Sequence, residues 1–291
     1  MAKALMLDRL PAAEYHADSY PISLSNSIIY ELLTRSPRHA WLAHPKLNPE
    51  FEPQEDEKFD IGTAAHALLL QGDDVMMVGE WDSWRTKEAK EFRDNARKSG
   101  KVPVLADQAK RVRKMVEQAR AQIDAGRIGK AWAAGQSEVT IHWTEKGVQS
   151  RCRIDRFSPE YGTSFDYKTT DGSASPEQWI RSQMVTLGYD IQAAWYTLAG
   201  NALAGDMREF IFCVQETKTG EMSFVSAGPE MQDLALRKVR LACELWNACR
   251  ETNTWPGYPK QVCWADGPKW SAEAVEAIAF EIDALLRSLG R

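Results

Sequence analysis

Three consecutive segments near the middle of the chain alternate with the two-residue period of β-strands: 137–143 (SEVTIHW), 148–157 (VQSRCRIDRF) and 163–169 (TSFDYKT). The triplets EKG at 145–147 and EYG at 160–162 supply turns between them. Strands this close in sequence pair as an antiparallel meander, so any fold for this chain must be built around a sheet. Because side chains alternate faces along a strand, Asp166 and Lys168 project one way while Phe165 and Tyr167 project the other. One face of the third strand carries charge and the other packs.

Around this meander the pattern is helical. SLSNSIIYELLTRSP opens a helix with Ser and Asn available as caps, and Pro37 stops it. FDIGTAAHALLLQG reads as a short apolar helix ending near Gly72, and 86–134 reads as helix interrupted by SGKVPVL. SASPEQWIRSQMVTLGYDIQAAWYTLAG reads as one helix, with Ser175 at the N-cap, Pro176 in the first turn and Gln178 placed for a capping box. REFIFCVQET and EMSFVSA form a hairpin around KTG, and Pro229 to Glu251 is an amphipathic helix. PKLNPEFEPQEDEKF at 45–59 is an irregular, exposed connection. The expectation is an α/β fold with a central, mostly antiparallel or mixed sheet flanked by helices, in a single domain over residues 1–291.

With 44% hydrophobic and 26% charged residues, the composition is that of a globular domain rather than a disordered chain. The first twenty residues lack a basic region followed by an apolar run. No stretch reaches the roughly 18 apolar residues of a membrane helix, so a cytoplasmic protein without membrane contact is expected. Five cysteines, at 152, 213, 243, 249 and 263, form no CxxC pair and fit reduced thiols.

The net charge of −5 hides an asymmetry. Residues 84–120 hold 12 Lys and Arg against 5 Asp and Glu, a surplus of seven positive charges on an acidic body. Such a tract either tracks a phosphate backbone or forms a solvated helix face. Its first part interleaves Arg85, Lys87, Lys90 and Arg93 with Trp81, Trp84 and Phe92, a pattern suited to gripping backbone and stacking on bases.

The chemistry sits in Asp155, Asp166 and Lys168. Two carboxylates brought together from adjacent strands make a hard oxygen site suited to Mg²⁺. A lysine beside it can orient a water for attack on a phosphodiester. Taken alone, Asp166-Tyr167-Lys168 reads first as a surface ion pair. His66 alone, in a helix of small and apolar residues, reads first as a core or capping histidine, and Gln192 and Tyr196 alone as the polar rim of a helix whose Tyr189, Gln192 and Tyr196 share one face.

Together these motifs resemble the PD-(D/E)xK nuclease superfamily. The core motif here is Ile154-Asp155, ten intervening residues, then Asp166-Tyr167-Lys168, with isoleucine at the position that names the proline. His66 within GTAAHALLL and the QxxxY spacing of Gln192 and Tyr196 within GYDIQAAWY resemble the RecB-like branch. YHADSYPISLSNSIIYELL, WRTKEAKEF, SEVTIHW, CRIDRF, DYKTT and the Trp255-Pro256 pair further resemble the RecE-type exonuclease VIII catalytic domain, over about residues 15–265.

The resemblance implies Mg²⁺, with Mn²⁺ able to substitute, held by Asp155, Asp166, the Tyr167 backbone carbonyl and His66, and Glu138 at a position where the family has a glutamate. It implies Lys168, Gln192 and Tyr196 in the catalytic machinery, while the charge of the basic tract puts Arg85, Lys87, Lys90, Arg93 and Trp84 on DNA. The resemblance further implies 5′ to 3′ digestion of double-stranded DNA ends, a single-strand annealing partner of the RecT type, and a ring-shaped homo-oligomer. Related nucleases with an iron–sulfur cluster need four cysteines, one of them upstream of the histidine; none precedes residue 152, so no cluster is expected and Cys243, Cys249 and Cys263 are assigned to packing. Two other readings keep the fold: a structure-specific or restriction-type endonuclease, and a non-catalytic DNA-end or partner-binding module.

Overall fold

The computed structural model describes residues 4–7, 10–18, 21–52, 61–264 and 266–288. In chain order the elements are β1 (Leu5–Leu7), α1 (Ala12–His16), α2 (Asn26–Thr34), α3 (Pro37–Leu42), α4 (Ile61–Gln71), β2 (Met76–Gly79), α5 (Lys87–Lys98), β3 (Val102–Leu105), α6 (Ala106–Ala125) and α7 (Gly129–Ala134). They continue with β4 (Gln136–Glu145), β5 (Val148–Ser158), β6 (Thr163–Thr170), α8 (Pro176–Trp179), α9 (Tyr189–Ala204), β7 (Glu209–Glu216), β8 (Met222–Ser226), α10 (Pro229–Thr252) and α11 (Lys269–Ser288). The chain divides into two compact units, Met1–Pro256 and Gly257–Arg291, the second containing α11.

Six strands form the main sheet in the order β1-β4-β5-β6-β7-β8. The meander β4-β5-β6 is antiparallel, as the alternation predicts, while β6 and β7 run parallel and β7-β8 is a hairpin. A parallel pair needs a crossover, and α8 with α9 supplies it between Thr170 and Glu209. The sheet is therefore mixed. A small parallel pair, β2-β3, lies outside it.

Strand alternation sorts the core into two layers. On β7, Phe210, Phe212 and Val214 join a cluster with Trp195 of α9 and Val239 and Trp246 of α10. Ile211 and Cys213 of the same strand join Phe165 and Tyr167 of β6 in a second cluster with Ala65 and Leu68 of α4 and Val112 and Met115 of α6. Helices thus cover both faces, and this buries the centre of the sheet completely. In α4, Gly62, Ala64, Ala65 and Ala67 are buried, and small side chains of this kind let the helix axis come close to the sheet.

Several expectations change in the folded chain. Pro37 opens α3 as well as ending the preceding run, with Ser36 accepting the His39 N–H as cap. The stretch expected as one helix from Ser175 is broken: a π-helical turn covers Ile180–Met184, and Gly188 at φ 72° restarts the chain into α9. Ser175 makes no side-chain cap, so the capping box with Gln178 does not form. Of the connection at 45–59, residues 53–59 lie outside the described residues. Cys152, Cys213, Cys243 and Cys249 are buried, but Cys263 is exposed and packs into no core. Among the described residues, no helix is long and apolar enough to cross a membrane.

Candidate active site

The site forms where the β5-β6 ladder stops. The two strands pair through Ser158–Thr163, Phe157–Ser164 and Arg156–Phe165, and the next position in register would set Asp155 opposite Asp166. The pairing ends there instead. Asp155 Oδ2 takes the freed Tyr167 N–H at 2.8 Å, so a side chain replaces the missing ladder bond. Two carboxylates, both buried, are thereby held at a fork in the sheet.

Each carboxylate is engaged from a different helix. His66 of α4 places Nε2 2.9 Å from Asp155 Oδ2, and its Nδ1 lies 3.9 Å from Glu138 Oε1. Gln192 of α9 donates through Nε2 to Asp166 Oδ1, and the Lys168 ammonium pairs with Asp166 Oδ2. Asp155, Asp166, Lys168, His66 and Gln192 are therefore brought together at one place.

Burial alone would raise the Asp155 carboxyl, but His66, Lys168 and the Tyr167 N–H together hold it below the usual carboxylate range. Asp166 goes the other way, pushed up to about 6 by burial and by the neighbouring Asp155 against the pull of Lys168. Burial opposes charge on His66, yet Asp155 and Glu138 push it up to about 9, and the two aspartates likewise raise Lys168. Two carboxylates pulled in opposite directions by one shared environment are a frequent mark of a working site.

The donor set fits a hard divalent cation. Asp166 Oδ2 is buried and, among the described residues, meets only the Lys168 ammonium, as an ion pair. Among those residues no three His, Cys, Asp or Glu side chains converge into an all-protein cage. Mg²⁺ suits this arrangement, because it is usually held by one or two carboxylates and keeps several waters. Asp155 and Asp166 would hold it, with the Tyr167 carbonyl in the backbone between Asp166 and Lys168.

Glu138 stands directly across β4 from Asp155, at the one position where the β4-β5 ladder skips a pair. Its backbone is left-handed, φ 59°, in the middle of a strand, a costly conformation for a residue with a Cβ. Its carboxylate is bound by Arg153 Nε and accepts from Gln71 Nε2 at 3.4 Å. Arg153 also donates to the Leu10 carbonyl at 2.6 Å. Neither Arg153 nor Gln71 stands out in the sequence; the available signal is that Arg153 shares strand parity with Asp155, two residues away.

Tyr196 sits deeper. It is buried with its ring edge-on to Phe210 at 5.5 Å, and burial pushes its phenol far up. Tyr167 turns its side chain into the second core cluster, where its hydroxyl donates to Gln215.

The basic tract runs along α5, β3 and α6, beside the small β2-β3 pair. Arg85, Lys87 and Lys90 are exposed. Arg93 is drawn in, its side chain 17% exposed and 3.0 Å from Asp94. Trp84 stacks on Phe92 at 6.2 Å and 14°, with Trp81 5.3 Å from the same ring. Gly79 of β2 packs so tightly beneath them that a Cβ would come within 3.0 Å of Trp84. The aromatic residues thus close on one another and leave the cations outside.

A family model described as a PDDEXK-like domain of unknown function (DUF3799) matches residues 26–264. No curated protein matches the chain. Among solved structures, a "Putative exonuclease" from Eubacterium rectale aligns over 90% of this chain and 97% of its own, with a TM-score of 0.51 and 14% sequence identity. At that identity the likeness speaks for the fold.

Proposed function

The chain belongs to the family of PDDEXK-like domains DUF3799, and from that premise we propose that it is a divalent-metal-dependent exodeoxyribonuclease that digests linear duplex DNA from 5′ ends. The observation that carries this reading is the fork at Asp155 and Asp166, with Lys168 on one carboxylate and His66 on the other. The description of the Eubacterium rectale protein as an exonuclease agrees with it.

Held by Asp155 and Asp166, a divalent metal, Mg²⁺ or in its place Mn²⁺, would supply charge neutralisation at the scissile phosphate. The chain's own groups do the rest. Lys168 holds the attacking water by hydrogen bond and keeps a positive charge beside the phosphate oxygens as negative charge builds on them. Gln192 fixes Asp166 through Oδ1, which leaves Oδ2 to Lys168 and the reaction. His66 holds Asp155 through the same Oδ2 that accepts the Tyr167 N–H and, on loss of its proton, offers Nε2 as a further donor. Arg85, Lys87 and Lys90 bind the duplex backbone away from the cut.

The same reading makes the product a 3′ single strand for a RecT-type annealing protein, in a cytoplasmic setting and in a ring of several copies. The test is digestion of linear, nicked and closed circular duplexes with separate 5′ and 3′ labels. Loss of linear DNA alone, with early release of the 5′ label, supports the proposal. Cutting of closed circles supports an endonuclease, and binding without any cleavage supports a non-catalytic module.

A further inference from the structure

Lys168 is held by two groups. Asp166 takes its ammonium, and the ring of Tyr189 lies with its centroid 5.0 Å from Nζ. A lysine has a flexible four-carbon stem and a strongly hydrated charge, so a single carboxylate leaves it several ways to point. An aromatic face within about 6 Å attracts the ammonium through its quadrupole and removes water from that side.

The Tyr189 ring is itself fixed. It stacks on Trp179 at 5.4 Å and 10°, and Trp179 is completely buried. Phe212 braces both, at 5.7 Å from Tyr189 and 5.3 Å from Trp179. Phe212 is the β7 residue in register with Asp166, so the aromatic wall is fastened to the strand beside the carboxylate it faces. At the backbone, Gly188 adopts φ 72° where a Cβ would meet the Tyr30 ring at 2.5 Å, and the Tyr30 hydroxyl donates to the Thr186 carbonyl at 2.9 Å. These interactions decide where α9 starts and make Tyr189 its first residue.

We propose that Tyr189 is a positioning residue for Lys168: its ring, backed by Trp179 and Phe212, holds the ammonium over the Asp166 carboxylate. The inference rests on the nuclease reading for its consequence and on geometry for its substance. Its effect belongs in turnover rather than in DNA affinity, because it sets where a reacting group points.

The experiment uses the full chain labelled with ¹³Cε-lysine, with the Lys168 signal assigned by its loss in Lys168→Arg. Ring current is expected to move that signal upfield of the other lysines, and Tyr189→Leu to return it to them while Tyr189→Phe does not. In cleavage assays, Tyr189→Leu should lower kcat about fivefold or more with KM little changed, and phenylalanine should restore it. Mono-, di- and trifluorophenylalanine at 189 should then lower kcat stepwise, since fluorine weakens the face of the ring while keeping its shape. An unshifted Lys168 signal, or a flat fluorine series in an active enzyme, would overturn the proposal. If neither the natural protein nor any variant cleaves DNA, the nuclease reading fails, and the lysine signal still decides whether Tyr189 holds Lys168.

Discussion

Asp155 replaces a β-ladder partner for Tyr167, accepting its backbone N–H at 2.8 Å where the β5-β6 pairing ends. One carboxylate oxygen thus serves the fold while the site uses the same group for chemistry. Asp155→Asn keeps an acceptor for that buried N–H, whereas Asp155→Ala leaves it unsatisfied. Urea unfolding should show Asp155→Ala less stable than Asp155→Asn by about 1–3 kcal/mol. Equal midpoints would mean that the Tyr167 N–H finds another partner.

Glu138 makes a second, opposite case, in which strain opposes stability. At φ 59° a Cβ is penalised and glycine is not. Both Glu138→Ala and Glu138→Gly remove the interactions with Arg153 and Gln71, so their difference isolates the backbone. The glycine variant should be more stable than the alanine variant by about 1 kcal/mol in thermal or urea unfolding. The reverse order would show that the left-handed conformation carries no cost.

Away from the fork, a buried network joins the N-terminal segment to β5. Arg151 pairs with Asp18 at 2.9 Å and donates to the Ser23 carbonyl at 2.7 Å, while His44 contacts that carbonyl at 3.1 Å and accepts the Lys46 N–H at 3.2 Å. Burial and Arg151 outweigh the Ser23 carbonyl and Asp18, and push the His44 imidazole down to about 4. The folded state keeps it neutral while the unfolded chain takes up a proton near 6.5, so its contribution is complete above about pH 6.5. It is lost as pH falls from there towards 4, at up to about 1.4 kcal/mol per unit. Urea midpoints between pH 7.5 and 5 should fall more steeply for the natural protein than for His44→Gln. Parallel curves would show that His44 does not govern the acid sensitivity.

The basic tract gives a prediction about salt. Lys87 and Lys90 are exposed, whereas Arg93 is paired with Asp94. In EDTA, neutralising Lys87 and Lys90 with glutamine should make the log affinity for duplex DNA less steep in log salt by ~0.9 for each phosphate that the variant no longer neutralises. Arg93→Gln should change the slope less. Unchanged slopes for the lysine variants would leave the tract a solvated helix face.

The strands of the site were legible because alternation survives burial, and the spacing of Asp155, Asp166 and Lys168 already required a turn between two strands. His66 and Gln192 carried motif spacing, but which carboxylate each would reach is a tertiary fact: α4 and α9 approach from opposite faces of the sheet. The break at 180–188 was hidden because apolar spacing runs on across it, with only Gly188 to mark it. β1 is three residues long and forms only by pairing with β4, so local pattern had little to show. The left-handed Glu138 has no glycine or asparagine to announce it. Trp84, read as a surface for bases, is instead stacked on Phe92, because aromatic spacing does not say whether a ring faces a partner or its own core.

The proposed function turns on whether Asp155, Asp166 and Lys168 cleave phosphodiesters with a bound divalent metal. Single-turnover digestion of a linear duplex, with Mg²⁺ or EDTA, by the natural protein and by Asp166→Asn and Lys168→Ala decides it. Cleavage is expected only with metal, slowed about a hundred- to a thousandfold in each variant while circular dichroism and melting show folded protein. Cleavage that persists in EDTA, or at full rate in both variants, would rule this chemistry out.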